Sequence, residues 1–169
     1  MLKKFFSITL VLFWLLLIFT LSHAPSDAST EQSKTIVNQI IGNTNQTNNT
    51  EVVEIENNAP IELKEDSPDI EYLNYIVRKI AHMSEYFILA LLVLNVIYQF
   101  KEKIDYKYYI MAISFCVVYA TTDEFHQTFV TGRTGQFSDV LIDTLGASIA
   151  CLFVMLIEKY KKSFFSWKL

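Results

Sequence analysis

The chain has 169 residues, of which 51% are hydrophobic, and its formal net charge is −4 at pH 7. Only 4 Gly and 3 Pro occur, which excludes a disordered composition, and the sequence contains no sustained basic patch of the kind that nucleic acid requires. The apolar residues are concentrated in long runs, which is typical of an integral membrane protein whose partner is the lipid bilayer.

The first apolar run extends from Phe5 to Leu21 and follows two lysines, Lys3 and Lys4. Its 17 residues are at the short end of the range for a membrane-spanning helix. The sequence Ser22-His23-Ala24 places small residues at the −3 and −1 positions of a candidate signal-peptide cleavage site. The run is therefore either a signal peptide or a retained helix over residues 1–22, and the family resemblance described below favours retention.

A polar segment separates this run from the next one. Between His23 and Glu71 there are ten acids and two lysines. Apolar residues recur at helical spacing within Ser33–Ile41, which predicts a short amphipathic helix on the membrane surface. The tract Asn43–Thr50 has the composition of a flexible linker. Residues 23–67 are thus predicted to form a long, acidic extracytoplasmic loop.

The second helix has a recognisable start. In Ser67-Pro68-Asp69 a serine stands at the N-cap, a proline at the first helical position and an acid in the first turn. Nothing interrupts the helical pattern over the 33 residues from Pro68 to Phe100. This length is about 50 Å, which exceeds the roughly 30 Å of hydrocarbon, so we expect the spanning part to cover about residues 76–100. Ionisable groups from Arg78 to Tyr86 lie in this helix, where charge is costly unless it faces a bundle interior or a wet cavity.

A short basic segment from Lys101 to Lys107 leads to the third helix, which is predicted over about residues 108–124. This helix ends in the polar sequence Asp123-Glu124-Phe125-His126-Gln127. Gly132 and Gly135 indicate a turn. The last helix is predicted over about residues 139–157, and a basic cytoplasmic tail over residues 158–169.

The distribution of lysines predicts the orientation of the helices. With four spanning helices and both termini in the cytoplasm, the acidic loop lies outside, in agreement with the positive-inside rule. The cytoplasmic lysines are then Lys3, Lys4, Lys101, Lys103, Lys107, Lys159, Lys161, Lys162 and Lys168. The same orientation brings the polar parts of the last three helices to one outer end of the bundle. These candidate site residues are Arg78, Lys79, His82, Glu85, Tyr86, Asp123, Glu124, His126, Gln127, Arg133, Asp139 and Asp143.

Helical spacing puts several of these residues on shared faces. Lys79, His82 and Tyr86 share a face of the second helix. Asp123 and Gln127 are four residues apart on the third helix. The residues on nearly one side of the last helix are Asp139, Asp143 and Gly146. The glycine among them would allow a close approach to a neighbouring helix.

Four interpretations of this cluster are consistent with the sequence. The first is a charge-paired network in which Arg78, Lys79 and Arg133 neutralise five acids and hold the bundle together. The second is a metal site of carboxylates and histidines, but no dedicated ligand spacing occurs and the adjacent bases disfavour a cation. We therefore expect neither a metal nor another cofactor.

The third interpretation is an anion site. The three bases would bind a phosphate or a carboxylate, and His82 or Glu124 would act as acid or base. The fourth is a transport pathway, which is disfavoured because four helices are few for a transporter and no repeat is visible in the sequence.

The motifs in this cluster resemble those of the VanZ-like family. The stretch Arg78-Lys79-x-x-His82-x-x-Glu85-Tyr86-x-x-Leu89 is similar to the second-helix signature of that family. Motifs similar to its second signature follow in order, namely Asp123-Glu124-x-His126-Gln127, Arg133-x-Gly135 and Asp139-x-x-x-Asp143-x-x-Gly146. Ser22-His23-Ala24-Pro25 resembles the serine-rich stretch after the first helix of the family, which is why we expect that helix to be retained. One position departs from the pattern, since the family more often has Asn where this chain has Asp143.

The resemblance implies a small polytopic protein of the bacterial cell membrane. Together with the apolar runs, it leads us to expect an all-α integral membrane four-helix bundle. The long extracytoplasmic loop between helices one and two is a local elaboration that the resemblance does not cover. It also implies an association with low-level teicoplanin resistance. The first functional hypothesis is a non-catalytic cell-envelope protein that lowers susceptibility to glycopeptide antibiotics, by binding the lipid tail of the drug or a lipid-linked cell-wall precursor at an outward-facing polar site. The alternatives are an intramembrane enzyme that acts on a lipid-linked phosphate or acyl substrate at the outer leaflet, and a small transporter.

Overall fold

The apolar runs of the sequence form helices in the computed structural model, which describes residues 1–23, 35, 36, 39, 68–101 and 105–166. Within these ranges there are four long helices and no strand. The helices are α1 (Leu2–Ser22), α2 (Pro68–Phe100), α3 (Tyr106–Gln127) and α4 (Phe137–Ser166). The predicted all-α four-helix bundle is therefore confirmed.

Helix α2 lies at the centre of the bundle and contacts each of the other three helices, most extensively α4. Helix α1 packs against α2 and, over a shorter length, against α3. The core residues recur at helical spacing on the inner faces of α2, α3 and α4 and are fully or almost fully buried. They are Tyr86, Leu89, Ala90, Leu94, Ala112, Cys116, Ala120, Ala147, Ala150 and Cys151. The many alanines on α3 and α4 permit close contact between helices, which favours association within a membrane.

Helix α1 is held to the bundle by hydrogen bonds as well as by apolar packing. The Trp14 indole Nε1 donates to the Glu85 backbone oxygen at 3.0 Å, and the Tyr119 hydroxyl donates to the Leu15 backbone oxygen at 2.6 Å. Nearer the other end of the helix, the Asn95 side-chain amide donates to the Ser7 hydroxyl at 3.1 Å. These contacts join α1 to both α2 and α3.

Helices α2 and α4 lie close together at Gly146. A Cβ atom at this position would lie 2.1 Å from the Met83 backbone oxygen. Because any side chain would collide with backbone rather than with a movable side chain, glycine is required for the observed packing of the two helices. The sequence prediction of a close approach at Gly146 agrees with this geometry.

Three of the helices are long and apolar enough to cross a membrane, and these stretches are Leu2–Ser22, Tyr72–Phe100 and Phe137–Tyr160. Helix α3 is not among them, although its 22 residues amount to about 33 Å. Its composition explains the difference, because it begins Tyr-Lys-Tyr-Tyr and its last turns contain Asp123, Glu124, His126 and Gln127. The length of α3 therefore agrees with the expectation of four spanning helices, but its hydropathy does not.

The helix boundaries differ from the predicted ones at a few positions. Helix α4 begins at Phe137 rather than Asp139, and it continues to Ser166 through most of the segment that we predicted as a tail. Apart from Thr35, Ile36 and Gln39, the predicted amphipathic segment Ser33–Ile41 lies outside the described residues. The same is true of the Asn43–Thr50 linker and of most of the acidic loop.

Candidate functional site

The polar residues of the last three helices meet at the end of the bundle where α3 ends and α4 begins. An ion pair between the Lys79 ammonium and the Asp139 carboxylate joins α2 to α4. On α2 itself, His82 Nδ1 lies 3.8 Å from Glu85 Oε2. The turn over residues 128–136 connects α3 to α4 and lies over this end, and Gly132 within it has a φ of 76°, a conformation that favours glycine.

These elements enclose a polar pocket of about 90 Å³, large enough for several water molecules. We call it the basic pocket. Its lining residues are Arg78, Lys79, His82, Gln127, Gly132, Arg133, Thr134, Gln136 and Asp139. The lining contains three cations, Arg78, Lys79 and Arg133, and one carboxylate, Asp139, which pairs with Lys79.

The two arginines of the basic pocket have different surroundings. Arg78 makes no hydrogen bond or ion pair with any residue in the described part of the chain. Arg133 donates long hydrogen bonds from Nη1 to Gln127 Oε1 at 3.4 Å and from Nη2 to the Leu21 backbone oxygen at 3.5 Å. Partial burial lowers the pKa of Arg133, and the charge of Arg78 lowers it further. Because arginine stays protonated in proteins, two like charges share the pocket, and an anion bound there would stabilise both.

A hydrogen-bonded network fixes the wall of the pocket that α3 contributes. Gln127 Nε2 donates to Asp123 Oδ2 at 3.2 Å and to Glu124 Oε1 at 3.3 Å. The Gln136 backbone N–H donates to Glu124 Oε2 at 2.9 Å. At Gly135 a Cβ atom would lie 2.4 Å from the Glu124 backbone oxygen, so glycine lets the turn lie directly against α3. The Glu124 carboxylate therefore holds the turn in place.

Other predicted site residues lie deeper in the bundle, and none of them lines the basic pocket. Asp143 is only 1% exposed, and neither of its carboxylate oxygens has a hydrogen-bond partner among the described residues. The Tyr86 hydroxyl and Asp123 Oδ1 are likewise buried without a partner in that part of the chain. Glu85 lies near Asp123 and Tyr86. We call this group, Glu85, Tyr86, Asp123 and Asp143, the acidic layer.

His126 lies apart from both groups. Its ring packs against α1, with ring centroids 4.6 Å from that of Phe19 and 5.3 Å from that of His23. It therefore contacts the first helix instead of the pocket. The structure thus brings Arg78, Lys79, His82, Gln127, Arg133 and Asp139 together in one pocket. It places the remaining predicted residues beneath or beside that pocket.

Sequence reasoning missed several contributors to the site. Thr134 and Gln136 line the basic pocket, and Trp14 contacts the backbone of Glu85 from α1. Gln136 acts partly through its backbone N–H, which has no sequence signature. Its position one residue after Gly135, in a turn already assigned to the polar end, is the one signal that could have suggested it.

The metal interpretation finds no geometric support. Within the residues that the structure describes, no three His, Cys, Asp or Glu side chains converge so that they could hold a metal ion. The charged side chains that line the polar pocket are instead mainly cations. Arginine and lysine side chains approach one small volume from α2 and from the turn, and a neutral amide completes its wall.

A family of known proteins matches most of the chain. The family model described as VanZ/LLP1 matches residues 6–158, which include all of the candidate site residues. Neither a curated protein nor a solved structure matches the chain.

Proposed function

The chain belongs to the VanZ/LLP1 family, and from this membership we propose that it is a multi-pass protein of the bacterial cell membrane that binds an anionic headgroup in its basic pocket. The observation that supports this proposal best is the pair of arginines in the lining, of which Arg78 has no hydrogen bond or ion pair with any described residue. Guanidinium groups bind phosphate and carboxylate oxygens through paired hydrogen bonds.

The proposal includes an orientation and a biological effect. Both termini lie in the cytoplasm, because the lysines of the segments between and beyond the helices then follow the positive-inside rule. The basic pocket then opens at the outer face of the membrane. Binding of an anionic cell-wall precursor or of the drug at this face lowers susceptibility to glycopeptide antibiotics, teicoplanin in particular.

The test is antibiotic susceptibility of a sensitive Gram-positive host that expresses the chain. We expect wild type to raise the inhibitory concentration of teicoplanin but not that of vancomycin. Arg78→Gln should abolish this protection, because it removes a pocket charge without breaking a hydrogen bond to any described residue. Lys107→Gln is the matched control, since Lys107 is an exposed cation at the opposite end of the bundle. If all three proteins protect equally at equal membrane abundance, the basic pocket is not the working site.

A second candidate function is an enzyme that acts on a lipid-linked phosphate or acyl group. The observation in its favour is His82, which lines the basic pocket with its Nδ1 atom 3.8 Å from a Glu85 carboxylate oxygen. His82 Nδ1 has no hydrogen-bond partner among the described residues. A histidine with a carboxylate nearby, beside a site for an anion, is suited to proton transfer. If His82 and Glu85 are catalytic, Glu85→Gln should abolish function while the protein stays folded. If the site only binds a ligand, each of several charge substitutions should reduce function by a part.

A further inference from the structure

A second space lies on the outside of the bundle, between the end of α3 and the start of α4. It is a shallow, open groove of about 210 Å³, which we call the lateral groove. Its lining residues are Thr121, Glu124, Phe125, Thr128, Gly135, Gln136, Phe137 and Val140. Apart from Glu124 and Gln136, these residues present rings, methyl groups or bare backbone, so the surface of the groove is mainly apolar.

The lateral groove and the basic pocket are neighbours. Gln136 lines both of them. The Glu124 carboxylate connects residues of the two spaces. Its Oε2 atom accepts a hydrogen bond from the Gln136 backbone N–H, and its Oε1 atom accepts one from Gln127 of the pocket. Because the Gln136 side chain is exposed, a ligand can pass over it from one space to the other.

The position of the groove along the helices indicates what it faces. Phe125 is 67% exposed and Phe137 is 75% exposed, and Phe137 is the first residue of the apolar stretch of α4. Phe125 also packs edge to face against the exposed Phe129, with ring centroids 5.3 Å apart. These exposed rings are wholly apolar, and Phe137 stands at the end of a stretch that is long and apolar enough to cross a membrane. In a membrane such a groove would face the lipid, while the pocket beside it is polar.

We propose that the ligand of the basic pocket is a single-chain lipid phosphate, whose phosphate group binds at Arg78 and Arg133 and whose hydrocarbon chain lies in the lateral groove. This inference rests on the proposed function and adds the hydrophobic part of the ligand. A phosphate offers oxygens on several sides, which suits cations that approach from α2 and from the turn. The ligand enters sideways from the outer leaflet instead of from the aqueous phase.

The test measures binding to the full-length protein in nanodiscs of phosphatidylcholine, with dodecyl phosphate and ethyl phosphate as probes. Thr121→Trp fills the groove with a bulky ring. Thr121 is exposed and its hydroxyl bonds only back along its own helix, to the Val117 backbone oxygen, so the fold should tolerate the change. Thr9→Trp is the matched control, because Thr9 of α1 is also exposed and bonds to the Phe5 backbone oxygen in the same way.

We expect Thr121→Trp to lower the affinity for dodecyl phosphate about tenfold and to leave the affinity for ethyl phosphate unchanged. Thr9→Trp should change the affinity for neither probe. The loss of contact with a few methylene groups is enough for a tenfold effect. Arg78→Gln should weaken both probes by a similar factor. Partitioning into the nanodisc is common to all variants, so comparison among variants isolates the contribution of the protein.

A dodecyl phosphate with a photoreactive group on its chain provides a second readout. Cross-links in wild type should map to the segments around Phe125 and Phe137. Cross-links on α1 alone, or an unchanged affinity of Thr121→Trp for dodecyl phosphate, would contradict the proposed position of the hydrocarbon chain in the lateral groove. Neither result would contradict the proposed phosphate site. If Arg78→Gln changes the binding of neither probe, the proposed function itself fails.

Discussion

Lys79 and Asp139 join α2 to α4 through an ion pair whose side chains are largely removed from solvent, with exposed fractions of 11% and 15%. A charge that loses its partner in such surroundings is costly, because it is less well solvated there than in bulk water. The exposed pair of Lys107 and Asp105, with side chains 62% and 65% exposed, is 3.8 Å apart and contributes little. An ion pair therefore contributes more to the stability of the protein at the Lys79–Asp139 end of the bundle than at the Lys107 end.

We accordingly predict that Lys79→Gln lowers the free energy of unfolding by about 1–3 kcal/mol. Lys107→Gln should change it by less than about 0.5 kcal/mol. Denaturant unfolding in detergent measures both variants. The exchanged double variant Lys79→Asp with Asp139→Lys should recover part of the loss, since it restores opposite charges. Equal stability of the two single variants would show that the buried pair has no special weight.

At the scale of the helices, the register between α2 and α4 depends on Gly146. The contact with the Met83 backbone oxygen leaves no room for a Cβ atom, so α2 and α4 can lie this close only because residue 146 is glycine. Both helices also contribute side chains to the basic pocket. Lys79 of α2 and Asp139 of α4 line it and form an ion pair with each other. A change in the separation of α2 and α4 would therefore alter the pocket as well as the core.

Gly146→Ala is predicted to destabilise the protein by about 1–3 kcal/mol, the range for overpacking of a close contact. Its thermal unfolding in detergent should be compared with that of Ser148→Ala, a substitution two residues further along α4 at a half-buried position. The serine hydroxyl there bonds back to the Thr144 backbone oxygen, and its loss should matter little. If Gly146→Ala is as stable as Ser148→Ala, the helices tolerate a wider separation than we infer.

Sequence periodicity predicted the helices well because their boundaries depend on local signals. Pro68 marks the start of α2, and the polar sequence from Asp123 to Gln127 marks the end of α3. The grouping of the polar residues at one end also followed from helix order alone. The rest depends on how each helix rotates about its axis. His126 packs against α1 and Asp143 lies in the interior, and such rotation is decided by contacts between residues far apart in the chain.

At the scale of the whole molecule, the orientation in the membrane decides which compartment the basic pocket faces. The proposed topology places the turn over residues 128–136 outside and the segment between α2 and α3 inside. Two exposed positions, Thr131 and Lys107, report on these two faces. The native cysteines, Cys116 and Cys151, are both buried and free, so they should give a low labelling background.

We predict that a membrane-impermeant maleimide labels Thr131→Cys in intact cells. Lys107→Cys should be labelled only after the membrane is permeabilised. Total labelling in detergent serves as the control for accessibility of each thiol. The opposite pattern would invert the topology and place the pocket in the cytoplasm, and labelling of both positions in intact cells would mean that α3 does not cross the membrane.

The attachment of the turn to Glu124 has a consequence for how such a protein can change its ligand. The turn supplies Gly132, Arg133, Thr134 and Gln136 to the pocket. Its attachments to the helices include the close contact of Gly135, the backbone N–H of Gln136 and the hydrogen bonds of Arg133 to Gln127 and Leu21. The side chains of the turn that make none of these attachments can therefore be exchanged while the helices keep their positions. Under the proposed function, variation of these side chains of the turn would alter which anion is bound, without disturbing the packing of α2 against α4. Transplanting this turn between relatives is consequently the most direct way to transfer ligand preference from one bundle to another.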